Sequence, residues 1–148
     1  MIKKILVPVD GSEHASKAIE FAANMAKQSD ATMHLLHVVQ VTEIPEAIKE
    51  FIRSEEIEES PYYVYSETLG RRILSVAEDE ANKKGVKHIE ASLIQGDPAE
   101  NIVNFAKHGD FDMIVIGSRG LGCLKGVLLG SVSSKVCHLT DRTCVTVK

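Results

Sequence analysis

Hydrophobic positions in the first forty residues change from a strand pattern to a helix pattern and back. Residues 4–9 form a short β-rich run, and Asp10 to Ser12 then supply a turn and a helix N-cap. The next segment has apolar residues at helical spacing: Ala15, Ala18, Ile19, Ala22, Met25 and Ala26. Thr32 to Val39 is almost continuously apolar, which indicates a parallel strand covered on both faces.

The middle of the chain repeats this alternation. Residues 66–84 carry apolar groups at helical spacing and predict a second helix, and residues 88–94 follow as a strand. The next helix start is the clearest in the chain: Asp97 can cap it, Pro98 suits its first position, and Glu100 lies three residues past the cap.

The C-terminal third predicts two further strands around a glycine-rich loop. Phe111 to Ile116 is an apolar strand, Gly117 to Gly130 is the loop, Ser131 to His138 is a short helix, and Thr143 to Val147 is a fifth strand. Because strands and helices alternate throughout, we expect right-handed β-α-β crossovers and one open, doubly wound α/β domain over residues 1–148, with helices on both faces.

An insertion at residues 40–65 separates the second strand from the second helix. Four apolar residues stand there at helical spacing, beside four glutamates between positions 55 and 59: Ile44, Ile48, Phe51 and Ile52. This pattern predicts an amphipathic helix with an acidic tail. The helix could pack on its own domain, cover a binding site as a lid, or pack on a partner.

Composition narrows the class of protein. The chain of 148 residues is 44% hydrophobic and 26% charged, which is typical of a globular domain. A net charge of −4 argues against a nucleic acid as the main partner. The apolar run at the N-terminus is broken at Pro8, and no run approaches the length of a membrane span, so we expect a cytoplasmic protein without a membrane partner.

The cysteines and histidines give no strong metal signal. The chain has three cysteines without paired C-x-x-C spacing, so we expect them to pack as small buried hydrophobes. A metal site made of Cys137, His138 and Cys144 is the weaker alternative. His34 and His37 are three apart on a strand and point to opposite faces, so they are not expected to share a metal.

Two segments are candidates for ligand binding, because ligands of doubly wound sheets lie beyond the carboxyl ends of the strands. One is the turn after the first strand, at residues 8–11. The other is the loop after the fourth strand, with five glycines in the fourteen residues from Gly117 to Gly130. Such a loop leaves backbone N–H groups free to approach a phosphate, and a helix N-terminus follows it. The alternative is a connection whose glycines only make turns.

Two common phosphate motifs do not fit. A dinucleotide-binding fingerprint requires several glycines after the first strand, where Gly11 stands alone. A Walker loop requires a lysine before its serine, whereas Gly130 directly precedes Ser131.

Three motifs along the chain resemble one known family. The spacing Gly117-x-x-Gly120-x(9)-Gly130-Ser131 resembles the ATP-binding motif of the universal stress protein family. The opening at residues 5–12 is similar to that family's first strand and turn, and residues 96–100 to the entry of its third helix. The likeness spans nearly the whole chain. It weakens at residues 40–65 and at 142–145, where family members commonly have a Cys-Pro pair.

This resemblance implies a parallel sheet in the order 3-2-1-4-5, with ATP across strands one and four. Asp10 would bind the ribose hydroxyls, although by its chemistry alone it could instead cap the first helix. The residues implied to line the adenine pocket are Pro8, Val9 and Val38. The residues implied to hold the ribose and phosphates are Gly117, Gly120, Gly130, Ser131 and Val132. Arg119 and Lys125 could add charge at the phosphates or remain solvated on the surface.

The leading hypothesis is therefore an ATP-binding regulatory or stress-response protein, with Mg²⁺ or Mn²⁺ as a candidate companion of ATP and an unknown downstream protein partner. The alternatives are a slow ATPase or nucleotidyl-transfer enzyme and a structural dimer without a ligand. Thr143 to Val147 is an uncharged, β-branched edge strand in the implied order, and the resemblance also implies pairing there, so we expect a homodimer through this strand.

Overall fold

The computed structural model describes residues 1–40, 43–121 and 129–148 and contains one five-stranded parallel sheet. The strands are β1 Lys4–Pro8, β2 Thr32–Val39, β3 Ile89–Gln95, β4 Met113–Gly117 and β5 Thr143–Val147. Their spatial order is β3-β2-β1-β4-β5, and every neighbouring pair is parallel. The expected fold class and strand order are confirmed, and the strand bounds agree with the predicted ones to within two residues.

Helices cover both faces of this sheet. The helices are α1 Glu13–Ser29, α2 Glu46–Ser54, α3 Pro61–Lys83, α4 Pro98–His108 and α5 Ser131–Leu139. One core cluster joins α1 and α3 to residues such as Ile5, Val7 and Leu35. The other joins α4 and α5 to residues such as Leu6 and Ile114. Successive strand residues point to opposite faces, so each strand contributes to both cores.

Two of the predicted helix starts are made by the expected capping residues. The hydroxyl of Ser12 accepts a hydrogen bond from the N–H of Ala15 at 3.2 Å. The carboxylate of Asp97 accepts one from the N–H of Glu100 at 3.0 Å. Each contact satisfies an N–H group that has no partner within the helix, which fixes where the helix begins.

The second predicted helix begins earlier than the sequence pattern indicated. We expected residues 66–84, whereas α3 spans Pro61–Lys83 and absorbs the end of the predicted insertion. The reason is local: Ser60 caps the helix by accepting from the N–H of Tyr63 at 3.1 Å, and Pro61 occupies the first helical position. The apolar spacing marks the buried middle of α3 but not its polar first turn.

Within residues 40–65, the predicted amphipathic helix is present as α2, which begins after the predicted residue Ile44 and contacts α3. Ile52 is buried, whereas Phe51 leaves 56% of its surface exposed. The helix therefore packs on its own domain through one side and leaves an aromatic ring uncovered on another. In the described ranges, no helix combines the length and hydropathy that a membrane crossing requires.

The expectation that the cysteines are buried is wrong for Cys137, which is exposed near the end of α5. Cys144 is half-buried and packs against the core cluster beneath α4 and α5. The two sulfur atoms face each other across the turn between α5 and β5. Cys123 lies outside the described residues.

Candidate functional site

The turn after β1 and the loop after β4 meet at the carboxyl edge of the sheet, and Asp10 joins them. Its Oδ1 accepts a hydrogen bond from the N–H of Ser12 at 2.9 Å. Its Oδ2 accepts one from the N–H of Leu121 at 3.2 Å. β1 and β4 are neighbours in the sheet, so the segments that follow them are adjacent. The two segments singled out by the sequence are therefore in contact.

Asp10 is not the cap of α1. Ser12 takes that position, and the bond from Oδ1 of Asp10 to the Ser12 N–H lies in the turn before the helix. The second carboxylate oxygen reaches across to the loop after β4. The half-buried carboxylate thus faces the glycine-rich loop instead of closing the helix start.

The two ends of the glycine-rich loop are held together by the buried residue Ser118. Its carbonyl oxygen accepts hydrogen bonds from the N–H of Gly130 at 2.6 Å and from the hydroxyl of Ser133 at 2.8 Å. Its own N–H donates to the carbonyl of Val147 at 2.7 Å, and its hydroxyl lies 3.2 Å from Nδ1 of His14. Ser118, Ser133 and His14 were missed, because no local pattern marks contacts between residues so distant in sequence.

The glycines of this loop have different surroundings. A Cβ on Gly117 would lie 2.7 Å from the backbone carbon of His14, so Gly117 is required by the close packing of β4 on α1. A Cβ on Gly120 would lie 2.5 Å from Oδ2 of Asp10. A Cβ on Gly130 would meet nothing closer than 3.4 Å. Of these three predicted binding residues, Gly117 has a packing reason of its own to be glycine.

The start of α5 differs from the starts of α1, α3 and α4, which are capped by side chains. Its N-cap is Gly130, and no side chain of the described residues caps it. Ser131 is exposed and Val132 is half-buried in the first turn. The first N–H groups of a helix have no partner within it and attract anions. This end of α5 is therefore suited to a phosphate or carboxylate.

The predicted adenine-pocket residues do not share one face of the sheet. Pro8 is paired in register with Leu36, whose cluster also includes Val38, so both lie on the α4 and α5 side. The side chain of Val9 is buried in the other cluster. The backbone of Val9 is held by β2, since its N–H donates to Leu36 at 2.9 Å and its carbonyl lies 2.7 Å from Nδ1 of His37.

Of the two cations predicted near the phosphates, only Arg119 is among the described residues. Arg119 is half-buried at the start of the loop, and its Nε is buried without a hydrogen-bond partner among the described residues. Lys125 lies outside them. Nowhere in residues 1–40, 43–121 and 129–148 do three His, Cys, Asp or Glu side chains group as metal ligands.

Comparison with known proteins identifies the family. The sequence model of the universal stress protein family matches residues 1–148. The chain belongs to the universal stress protein family. Universal stress protein YxiE of Bacillus subtilis is 36% identical, over 97% of this chain and 96% of its own length.

Solved structures of universal stress proteins and related chains have the same fold. Hypothetical protein MJ0577 superposes with a TM-score of 0.77 at 29% identity, over 100% of this chain and 96% of its own. The universal stress protein of Archaeoglobus fulgidus, solved in complex with dAMP, superposes with a TM-score of 0.68 at 24% identity over 100% of both chains. At 24% identity, the likeness to the Archaeoglobus fulgidus protein shows a shared fold only.

Proposed function

We propose that this chain is an ATP-binding universal stress protein that acts as a nucleotide-dependent regulatory or stress-response protein. The observation that carries the proposal is the contact between the Asp10 carboxylate and a glycine-rich loop that ends at a helix without a side-chain cap. Proteins of this fold in complex with cAMP, dAMP and AMP support an adenine nucleotide as the ligand.

The ribose would bind at Asp10. A carboxylate accepts hydrogen bonds from two adjacent hydroxyls, and such charge-assisted bonds are about twice as strong as neutral ones. In the free protein Oδ2 of Asp10 already accepts from the Leu121 N–H, so ribose binding exchanges or shares that bond. The loop would then move with occupancy of the site, which gives a partner protein a difference to recognise.

The phosphates would bind at the start of α5. Ser131 and Val132 supply backbone N–H groups of the first turn, and the exposed hydroxyl of Ser131 adds a donor. Gly130, whose own N–H already donates to the Ser118 carbonyl, would let the phosphate approach this turn closely because it has no side chain. Arg119 brings a positive charge to the same loop. We expect Mg²⁺ or Mn²⁺, if either accompanies ATP, to be held mainly by the phosphates, as is usual for nucleotide-bound Mg²⁺.

The direct test is whether the protein retains nucleotide through purification. Protein prepared without added nucleotide is denatured, and the supernatant is separated by chromatography. We expect ATP or its hydrolysis product ADP, and titration calorimetry of stripped protein should show ATP binding. The absence of both retained nucleotide and binding at millimolar ATP would contradict the proposal and favour a structural dimer without a ligand.

The variant Asp10→Asn tests the ribose contact. The amide retains an oxygen for the Ser12 N–H but loses the charge, so ATP and adenosine should both bind more weakly. Loss of a hydrogen bond to a charged group is worth about 1.5–3 kcal/mol, or roughly 10- to 150-fold in affinity. The matched control is Asp79→Asn, on an exposed position of α3, which should bind both ligands as the wild type does.

Gly130→Val tests the phosphate contact separately. It places a branched side chain where the backbone must approach an anion, so ATP binding should weaken while adenosine binding stays within about twofold. An equal loss for both ligands would show that the residue acts through the fold of the loop and not through the phosphates.

Hydrolysis is expected to be slow, because a loop that only holds phosphates stabilises the ground state and the transition state alike. Steady-state release of phosphate at saturating ATP should remain well below about 1 per second, the low end for ordinary enzymes. A faster rate would favour the enzyme hypothesis. The predicted cytoplasmic location stays a prediction.

A further inference from the structure

Two cysteines outside the candidate nucleotide site face each other at the end of α5. Cys137 lies in the last turns of this helix, and Cys144 is the second residue of β5. Their Sγ atoms are 3.2 Å apart. Because the sulfur atoms of a disulfide are about 2.05 Å apart, roughly 1 Å of movement would bring these two within bonding distance.

The turn that joins the two cysteines is held in place by its neighbours. The hydroxyl of Thr140 accepts from the N–H of Arg142 at 3.1 Å. The guanidinium of Arg142 donates to the carboxylate of Asp110 at 3.1 Å and to the carbonyl of Phe111 at 3.3 Å. These contacts anchor the turn to the segment before β4, so the proximity of the thiols is built into the fold.

The thiols have unequal surroundings. Cys137 is exposed and can meet a dissolved oxidant, whereas Cys144 packs against the second core cluster. Burial, together with the hydrogen bond and charge of Cys137, raises the pKa of the Cys144 thiol to about 12. At neutral pH Cys144 is therefore protonated, and Cys137 is the residue that an oxidant reaches first. Within the described ranges, the pair is not part of a group of three possible metal ligands.

We propose that Cys137 and Cys144 form a reversible oxidation site at which a peroxide converts the two thiols into an intramolecular disulfide. The sulfur of Cys137 attacks one peroxide oxygen, the O–O bond breaks, and water or an alcohol leaves, so that Cys137 becomes a sulfenic acid. The sulfur of Cys144 then attacks that of Cys137: the S–S bond forms, the S–O bond breaks, and water leaves. The two thiols lose two electrons and two protons, and the peroxide gains them.

The site has a defined place in the fold. The disulfide would tie the last turns of α5, whose N-cap is Gly130, to the edge strand β5. The proposal does not rest on nucleotide binding, since none of the contacts described for the two cysteines and their turn involves Asp10 or Ser118.

The test uses the full chain and, in parallel, a Cys123→Ser variant in which these two thiols remain. Each protein is treated with hydrogen peroxide, free thiols are blocked with an alkylating reagent, and the protein is digested with trypsin. Cleavage after Lys135 and Arg142 should leave peptides 136–142 and 143–148 joined by a disulfide, and a dithiol reductant should separate them. Closure should accelerate with rising pH, because the thiolate of Cys144 is the form that attacks the sulfur of Cys137.

Two single variants distinguish this pathway from random oxidation. Cys144→Ser should stop at a sulfenic acid on Cys137 that dimedone traps. Cys137→Ser should lower the rate of thiol loss at Cys144 by about tenfold, because the remaining thiol is buried and protonated. Absence of the joined peptides, joining only between two protein molecules, or equal reactivity of the two single variants would each overturn the proposal.

Discussion

The Asp10 carboxylate lies against the backbone of Gly120, so closely that a Cβ atom on Gly120 would fall 2.5 Å from Oδ2. The same oxygen accepts the hydrogen bond from Leu121, the next residue of the loop. Glycine at position 120 therefore lets the carboxylate sit directly beside the loop. The pairing of β1 with β4 only makes the two segments neighbours, whereas this contact joins a particular residue of the turn to a particular residue of the loop.

Gly120→Ala should weaken ATP binding without unfolding the protein. The methyl group would displace the end of a flexible side chain, and Gly120 has no positive φ that alanine would disfavour. We expect a loss of about 1.5–3 kcal/mol, the range for one hydrogen bond to a charged group, measured by calorimetry with ATP. The control is a double-mutant cycle: in the Asp10→Asn background the substitution should have a smaller effect. Additive losses would show that Gly120 acts independently of Asp10.

Gly117→Ala should instead destabilise the fold. A Cβ there would meet the backbone of His14 at 2.7 Å and 2.8 Å, and backbone atoms move less readily than a side-chain end. Such overpacking typically costs about 1–3 kcal/mol, which a urea titration measures as a lower midpoint. Gly130→Ala is the matched control, because its nearest contact is 3.4 Å and its φ is −71°. Equal midpoints for the two variants would contradict the packing role.

These glycines show which parts of the site were predictable. The motif spacing selected Gly117, Gly120 and Gly130 together, since local sequence does not distinguish a glycine that packs from one that faces a ligand. Their difference comes from α1, which brings the backbone of His14 against β4. The contact of Ser118 with Ser133 was not predictable for a similar reason: it depends on how the fold brings the two ends of the loop together, and not on the residues next to either serine.

The fold was easier to predict from the sequence than the contacts of the site, because the signals for strands and helices are local or repeat along the chain. Apolar runs marked the strands, and Ser12 and Asp97 marked helix starts where the structure has them. The start of α3 was missed because the apolar spacing outweighed the short signal at Ser60 and Pro61. The sequence brought Cys137 and Cys144 together only in the weaker alternative of a metal site, because the turn that pairs the two thiols is held by distant contacts with Asp110 and Phe111.

His34 should make stability depend on pH. Its ring is buried beside Phe105 and Phe111, with Nδ1 3.0 Å from Glu90 and Nε2 2.8 Å from the hydroxyl of Ser92. Burial lowers the pKa of His34 below 6.5; the hydrogen bond and charge of Glu90 oppose this effect, and the charge of Lys4 adds to it. The unfolded chain therefore binds this proton at a higher pH than the folded one.

It follows that the free energy of unfolding should decrease as the pH falls from 6.5 through the lower folded pKa of His34, and this contribution should then level off. Urea midpoints measured across this interval should fall less steeply in His34→Gln than in the wild type. His88→Gln, at an exposed position, is the control and should keep the wild-type slope. The same slope in both variants would show that other groups cause the dependence.

The strand β5 is predicted to form a homodimer, and its register determines which substitution tests this. The N–H of Ser118 donates to the carbonyl of Val147, so the backbone polar groups of Val147 point toward β4. Because these directions alternate along a strand, those of Val145 also point inward, whereas those of Cys144 and Thr146 point outward from the sheet edge. A proline at position 145 would therefore break the sheet of the monomer itself.

Thr146→Pro is the appropriate variant, since it removes an outward N–H and proline is tolerated on edge strands. We expect the wild type to scatter light as a dimer of the 16.2 kDa chain and the folded variant as a monomer. The β-branched, uncharged sequence of β5 leaves nothing within the strand to prevent pairing with a second copy. A monomeric wild type would refute the dimer. A folded, dimeric Thr146→Pro protein would place the interface elsewhere, with α2 as the next candidate because Phe51 is exposed on it.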